Sequence, residues 1–535
     1  LEDYQSAYDA FYRSTHYQEY FSMGYEQVAR IDLFRGEFGL ALEHIERALE
    51  RNIKSPCLWV LKAVTLRLNG QDDQAKSSLD KALSYDPMNF WAINEQIRGL
   101  KKTGQPAKSS KAELRSLLLD DPHYYIELAL DYLELGMYND ALQVYRLFED
   151  NVGENALVEY YKGYCLDKLR ETDLAVQAFS KAKEASIINV FPFREKTLEI
   201  LDVGLTYDSL DANAYYYKGL IYAGLLNGSK SYQSFIRASK LNPTDSKIWR
   251  NLGLLKHGYP GVYQDLKLAR TYYKEAFDLA KKDDLILMEF DKVKMELQED
   301  PFQRLKFLKK HDDVVEKNDD LLATMLDLMV NYGEFETPIK YFETHIFNNR
   351  EGKYGVHNSY MNAYIGLAKK AQDSHKAIEY YKKAAAYPDN LKVKPREPNL
   401  RGFLYYPMAI LYEEIGDMEE MERLLKITAK EHTQLPTIAN YYQALALQKL
   451  DPDDHNSLQL MKALKEEGEN LIEGRAEGYL GKPEQLLVAL GHYYLSLFHQ
   501  FLDNNQESDR EIEKARKLLL TIEQEAIKLA QKEFS

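Results

Sequence analysis

Cysteine is nearly absent from the 535 residues: Cys57 and Cys165 are the only two. Two thiols cannot build a disulfide framework, and both fall inside expected helices as small apolar side chains. No apolar run approaches the roughly 20 residues that span a bilayer. Tryptophan is scarce, with 3 residues against 41 tyrosines. Short motifs of common chemistry are missing as well. There is no G-x-G-x-x-G after a strand, no P-loop, no H-E-x-x-H and no C-x-x-C. His492 and His499 share one helical face, but no Cys or Asp accompanies them at ligand spacing. They read as packing or surface residues. The acidic pairs Glu413-Glu414 and Glu419-Glu420 read as solvated charge, and no glycosidase-type carboxylate pair stands out from 84 acidic residues. The expectation is a non-catalytic chain with no metal and no cofactor.

Positive charge is in deficit. Lys and Arg number 69, giving a net charge of -15 and a pI near 5.4. Such a surface repels phosphate backbones and anionic lipids, so neither nucleic acid nor a membrane is an expected partner. The first residue is Leu1, and no signal-peptide pattern follows it. The expectation is a processed protein or a piece of a longer one. The expected compartment is cytoplasmic, or periplasmic if a signal peptide precedes Leu1.

What the sequence does hold is a repeat. Tyr25 is matched by Trp59, Gly36 by Gly70, Ala41 by Ala75 and Ala48 by Ala82, each pair 34 residues apart. A fixed period of an aromatic, a Gly and small residues marks stacked helix–turn–helix units. In the first unit, Tyr25, Val28, Ala29 and Asp32 fall on one helix and Ala41, Ile45 and Ala48 on the next. Arg35-Gly36-Glu37 forms the turn. Spacings of three and four place one stripe on each helix, with small residues where the two approach.

These residues, and Trp59, Lys62-Ala63, Leu66, Ala75, Leu79, Ala82 and Pro87 in the second unit, resemble the tetratricopeptide repeat family. The resemblance implies an all-α fold, a right-handed superhelical solenoid of helix hairpins. Along the chain it yields a lead-in segment (1–21), an N-terminal block (22–185) and a joint with an extra helix (186–211). A central block (212–300), a C-terminal block with long loops (301–502) and a capping helix (503–535) follow. The third unit is degenerate, keeping Gly104 but placing Lys108, Ser109 and Ser116 at small apolar positions. Gly219 and Gly253 keep the period beyond the joint. The turn His257-Gly258-Tyr259-Pro260-Gly261 inserts about four residues between two helices. Ser508-x-x-Glu511 reads as the capping box of one long last helix.

The family's binding surface is the concave face lined by first helices. Carried onto this chain, its positions fall at Tyr160, Tyr164, Asp167 and Lys168 in the fifth unit. The two units after the joint add Asn213, Tyr216, Lys247, Arg250 and His257. Tyr and Arg offer large contact area with a polar tip; the competing expectation is that most tyrosines are core. The Lys-and-Asn clamp of chaperone-binding members is absent: Ile126 and Leu130, Tyr160 and Tyr164, and Arg250 and Leu254 occupy those places. A second, narrower resemblance rests on the loop from Asn349 to Gly352, on Val356-His357 and on Tyr387 to Leu391. These are similar to the repeat-rich C-terminal half of large bacterial proteins whose preceding domain is uncharacterised and linked to carbohydrate chemistry. The resemblance implies two alternatives. One is a scaffold holding a protein or peptide partner, or a domain of its own polypeptide, in the groove. The other is the accessory half of a carbohydrate-active protein, contacting sugar.

Overall fold

The computed structural model describes residues 4–102, 108–187, 190–348, 355–393, 401–431, 435–476, 484–519 and 521–532. They form thirty α-helices and one short 3-10 turn at Asp389–Leu391, with no strand among the described residues. The chain divides into two compact units, Leu1–Leu279 and Ala280–Ser535.

In the first unit the helices pair in sequence. Phe21–Arg35 folds against Phe38–Arg51, Pro56–Leu68 against Asp72–Tyr85, Phe90–Lys102 against Lys108–Leu118, and Pro122–Glu134 against Tyr138–Asn151. Ala156–Lys168 pairs with Thr172–Glu184, Ala212–Gly224 with Gly228–Leu241, and Ser246–Gly258 with Leu266–Leu279. Local chemistry sets these boundaries. Ser55, Asp121, Asn155, Asp211 and Asp245 each accept a backbone N–H from the first turn of the helix they precede, which satisfies donors that a helix start leaves open. Gly70 closes the turn of its hairpin in the left-handed region, at φ +76°, where only glycine is unstrained.

Three of these hairpins are locked by a glycine against an aromatic ring. A Cβ built on Gly163 would lie 2.6 Å from the Phe179 ring, and one on Gly219 2.6 Å from Phe235. Both pairs are 16 residues apart; the equivalent pair, Gly253 and Tyr273, is 20 apart. The difference is the insertion expected in the turn at His257. In the degenerate third unit a polar network takes over part of the packing. Arg67 donates to buried Glu95 at 2.7 Å, Tyr132 donates to the same carboxylate at 2.7 Å, and Arg98 pairs with Asp140. A hydrogen-bonded charge cluster tolerates burial that a lone charge would not.

One expectation gains detail here and one needs correction. The lead-in segment contains a helix, Tyr4–Ser14, packed on Phe21–Arg35. Its register was hidden because none of its residues is buried and most are exposed. The expected capping helix is two helices, Asn505–Leu518 and Ile522–Lys532. Asn504, not Ser508, caps the first, accepting from the Glu507 N–H at 3.4 Å. Ser508 lies one turn inside, where its hydroxyl donates to the Ser496 carbonyl.

The second unit opens with Asp284–Glu296 and the short helices Pro301–Lys309 and Asp312–Val315. Paired helices follow: Asp319–Asn331 with Glu336–Thr344, Gly355–Lys370 with Ser374–Ala384, and Gly402–Glu414 with Met418–Thr428. Ile438–Leu450 with His455–Ile472 and Glu484–Phe501 with Asn505–Leu518 complete the series. Gly104, Ile188 and Asn189, the loop from Asn349 to Tyr354, Pro395, Pro398 and Pro483 lie outside the described residues, as do the side chains of Lys108 and Ser109.

Candidate functional site

The four expected groove positions of the fifth unit sit together on Ala156–Lys168, but they already serve the chain itself. The extra helix, Lys196–Tyr207, lies against that helix. Tyr160 is 0% exposed, and its hydroxyl donates to Asp211 Oδ2 at 2.6 Å. Tyr164 is buried and donates to Glu199 Oε1 at 2.5 Å, with the Lys168 ammonium 4.9 Å above its ring. Asp167 accepts the Tyr207 hydroxyl at 2.7 Å. Burial and the Asp211 carboxylate push the Tyr160 phenol well above its usual range. Tyr160, Tyr164 and Asp167 are therefore internal joints: Tyr164 and Asp167 bond the inserted helix, and Tyr160 bonds the cap of the helix after it. Lys168 alone of the four remains exposed.

The later positions divide in the same way. Asn213 donates to the carbonyls of Lys183 and Ala185, tying its helix to the hairpin before it. Tyr216 is buried against Phe235, ring centroids 5.8 Å apart, and burial pushes its phenol up to about 12. Lys247, Arg250 and His257 are half-buried on Ser246–Gly258, with His257 edge-on to Tyr273. The described residues of the narrower resemblance form a packed knot. His357 stacks on Tyr387 at 4.0 Å, and Asn390 donates to the carbonyls of Phe342 and His345.

A different surface emerges in the second unit. A cavity of about 810 Å³ is lined by Tyr381, Tyr406, Tyr441, Tyr442, Tyr493 and Glu523, among others. Tyr406, Tyr441, Tyr442 and Tyr493 stand on the first helices of three consecutive hairpins. Tyr441 and Tyr442 lie 5.3 Å apart by ring centroid, and Tyr406 and Tyr442 6.2 Å. Glu523 reaches into this wall from Ile522–Lys532 and accepts from Lys369 Nζ at 2.5 Å. Burial, with the Glu523 charge second, pushes the Tyr381 phenol up to about 12 and those of Tyr442 and Tyr493 well upward. The signal for this wall was present in the tyrosine doublets 405–406, 441–442 and 493–494. One member of each marks the repeat, and its neighbour points along a different direction of the helix. Among the described residues no group of His, Cys, Asp or Glu is placed to hold a metal ion. No described helix is long and apolar enough to cross a membrane.

The sequence pattern of the tetratricopeptide repeat matches residues 58–89. That stretch covers the Pro56–Leu68 and Asp72–Tyr85 hairpin, whose caps and small-residue contacts recur in the hairpins that follow. That one hairpin matches the tetratricopeptide repeat family. Over 219 residues the chain is 24% identical to a TPR repeat-containing protein of Methanocaldococcus jannaschii, a match covering 40% of this chain and 36% of the relative. The chain spans about a third of that relative's length. Among solved structures it is similar to a chain from the structure of Naa15/Naa10 bound to HypK-THB. That match has 12% identity over 99% of this chain and 95% of the other, with a TM-score of 0.24. It is also similar to YrrB, described as a TPR protein with an unusual peptide-binding site. There the identity is 16% over 46% of this chain and 96% of the other, with a TM-score of 0.17.

Proposed function

We propose that this chain is a non-catalytic scaffold that holds a protein or peptide partner on the inner helices of its hairpins. The observation that carries the reading is the tyrosine-lined cavity between Gly402–Glu414, Ile438–Leu450 and Glu484–Phe501. Aromatic rings with polar tips supply contact area at little conformational cost, the composition of binding hot spots. The partner is a separate protein or a neighbouring domain of the same polypeptide, and neither nucleic acid nor a membrane surface suits a net charge of -15.

The test is capture of a partner by the immobilised full chain, followed by hydrogen exchange on the complex. The scaffold reading expects one defined protein, new protection on those three inner helices, and at least tenfold weaker binding by Tyr442→Ala. Protection elsewhere would move the site. A melting shift with oligosaccharides, and none with any protein, would favour the accessory carbohydrate-binding role instead.

A further inference from the structure

The helix Ile522–Lys532 does not extend the stack of hairpins. After Asn505–Leu518 the chain turns at Leu519, whose carbonyl accepts the Ile522 N–H at 3.2 Å. The Gln485 side chain closes the end of the preceding helix by donating to the Leu518 carbonyl at 3.0 Å. The new helix then runs back against Ile438–Leu450 and Glu484–Phe501, the first helices whose inner sides wall the cavity. Its described contact face is amphipathic. Ile522, Ala526 and Ile527 are buried, at 1%, 0% and 3% exposure. Between the apolar anchors, Glu523 projects into the tyrosine wall and pairs with Lys369 from a hairpin about 150 residues earlier in the chain.

This is the geometry of a helix laid in a groove, in which apolar anchors on one face give affinity and a flanking charge sets register. Among the described side chains, Ile522, Ala526 and Ile527 are buried, and the ion pair of Glu523 with Lys369 is half-exposed, at 35% and 50%. A half-exposed pair of this kind adds little to holding a segment in place. A cavity of about 810 Å³ still lies beside Glu523, so the groove is larger than its occupant.

We propose that Ile522–Lys532 is a self-ligand. It occupies the groove that an amphipathic helix of a partner protein takes, one carrying a carboxylate directly after its first apolar anchor, and the two exchange. The proposal rests on the scaffold reading and adds to it the partner's chemistry and a competitor built into the chain.

The test uses the full chain and a fluorescein-labelled peptide with the sequence of residues 519–532. In the chain carrying Ile522→Asp and Ile527→Asp, the helix loses its anchors and vacates the groove. This opened chain is expected to bind the peptide at least tenfold more tightly than the wild type does. A peptide carrying Glu523→Lys is expected to lose at least tenfold in affinity for it. An opened chain that keeps the wild-type melting profile yet fails to bind the peptide overturns the proposal. Equal binding by both chains also overturns it, because the peptide would then sit elsewhere. If the double variant melts early, a chain carrying Glu523→Lys alone replaces it, with a smaller gain of about threefold expected and no gain counting against. A chain that captures its protein partner with the protection described above, but ignores the peptide, refutes the self-ligand and leaves the scaffold standing. Peptide binding without any protein partner does the reverse.

Discussion

Gly219 sits so close to the Phe235 ring that a methyl group would lie 2.6 Å from it. The ring belongs to the partner helix of the same hairpin, where Phe235 is 1% exposed and has no empty space to retreat into. Overfilling a packed contact of this kind typically costs 1–3 kcal/mol, so Gly219→Ala is expected to destabilise the first unit by about 2 kcal/mol. Chemical denaturation followed by circular dichroism measures it, and an unchanged midpoint would show that the ring gives way freely. This layer of the structure was legible in the sequence. Ala41 and Ala75, and Ala48 and Ala82, are buried as the 34-residue period requires, because helix pairs can approach only where side chains are small. The identity of the capping residues was less legible. Ser508 and Asn504 are both chemically able to cap, and the helix starts at the earlier one.

Helices that interrupt the period are where reading the sequence fell short. The repeat pattern records how a helix meets its own hairpin partner; it carries no record of what covers the opposite side. Lys196–Tyr207 was expected as an extra helix, but its consequence, the hydrogen bonds that tie Tyr164 and Asp167 to it, has no local signature. A tyrosine at an inner position looks the same in sequence whether water, a ligand or another helix faces it. The structure makes the distinction testable. Tyr160→Phe removes the hydroxyl that donates to Asp211 Oδ2 and leaves a buried carboxylate oxygen without that donor. A lost donor of this kind costs about 1–3 kcal/mol. The variant is expected to melt earlier while its affinity for a captured partner stays unchanged. Weaker capture at unchanged stability would return Tyr160 to the binding surface. The same blindness hid the cavity wall, since Tyr406, Tyr442 and Tyr493 are neighbours in sequence of residues the repeat already explains.

Across the whole molecule, several buried acids and one buried histidine oppose each other in their response to pH. Burial pushes Asp131 and Glu431 up to about 7, and it raises Glu159 as well. Glu431 accepts the backbone N–H groups of Arg401 and Gly402, which offsets part of that burial. An acid whose folded value exceeds its unfolded value of about 4.5 makes the folded chain bind the proton first. Its charged form costs stability above about pH 7, and that cost is relieved progressively as pH falls toward 4.5. Burial holds His357 down to about 4, so the unfolded chain binds its proton first below about 6.5 and stability falls there. Between pH 8.5 and 6.5 only the acids act, each adding a little under about 1 kcal/mol as pH falls. Below that, the histidine opposes them but cancels only about one of the acids, so these groups together keep adding stability as pH falls toward about 4.5. Glu431→Gln isolates one contribution, because the amide stays neutral and keeps an acceptor oxygen. It is expected to be more stable than the wild type by about 3 kcal/mol at pH 8.5, narrowing to about 1 kcal/mol at pH 5.5. Thermal melts of the two chains across that range measure the gap, and a gap independent of pH would mean that Glu431 ionises as an ordinary surface carboxylate.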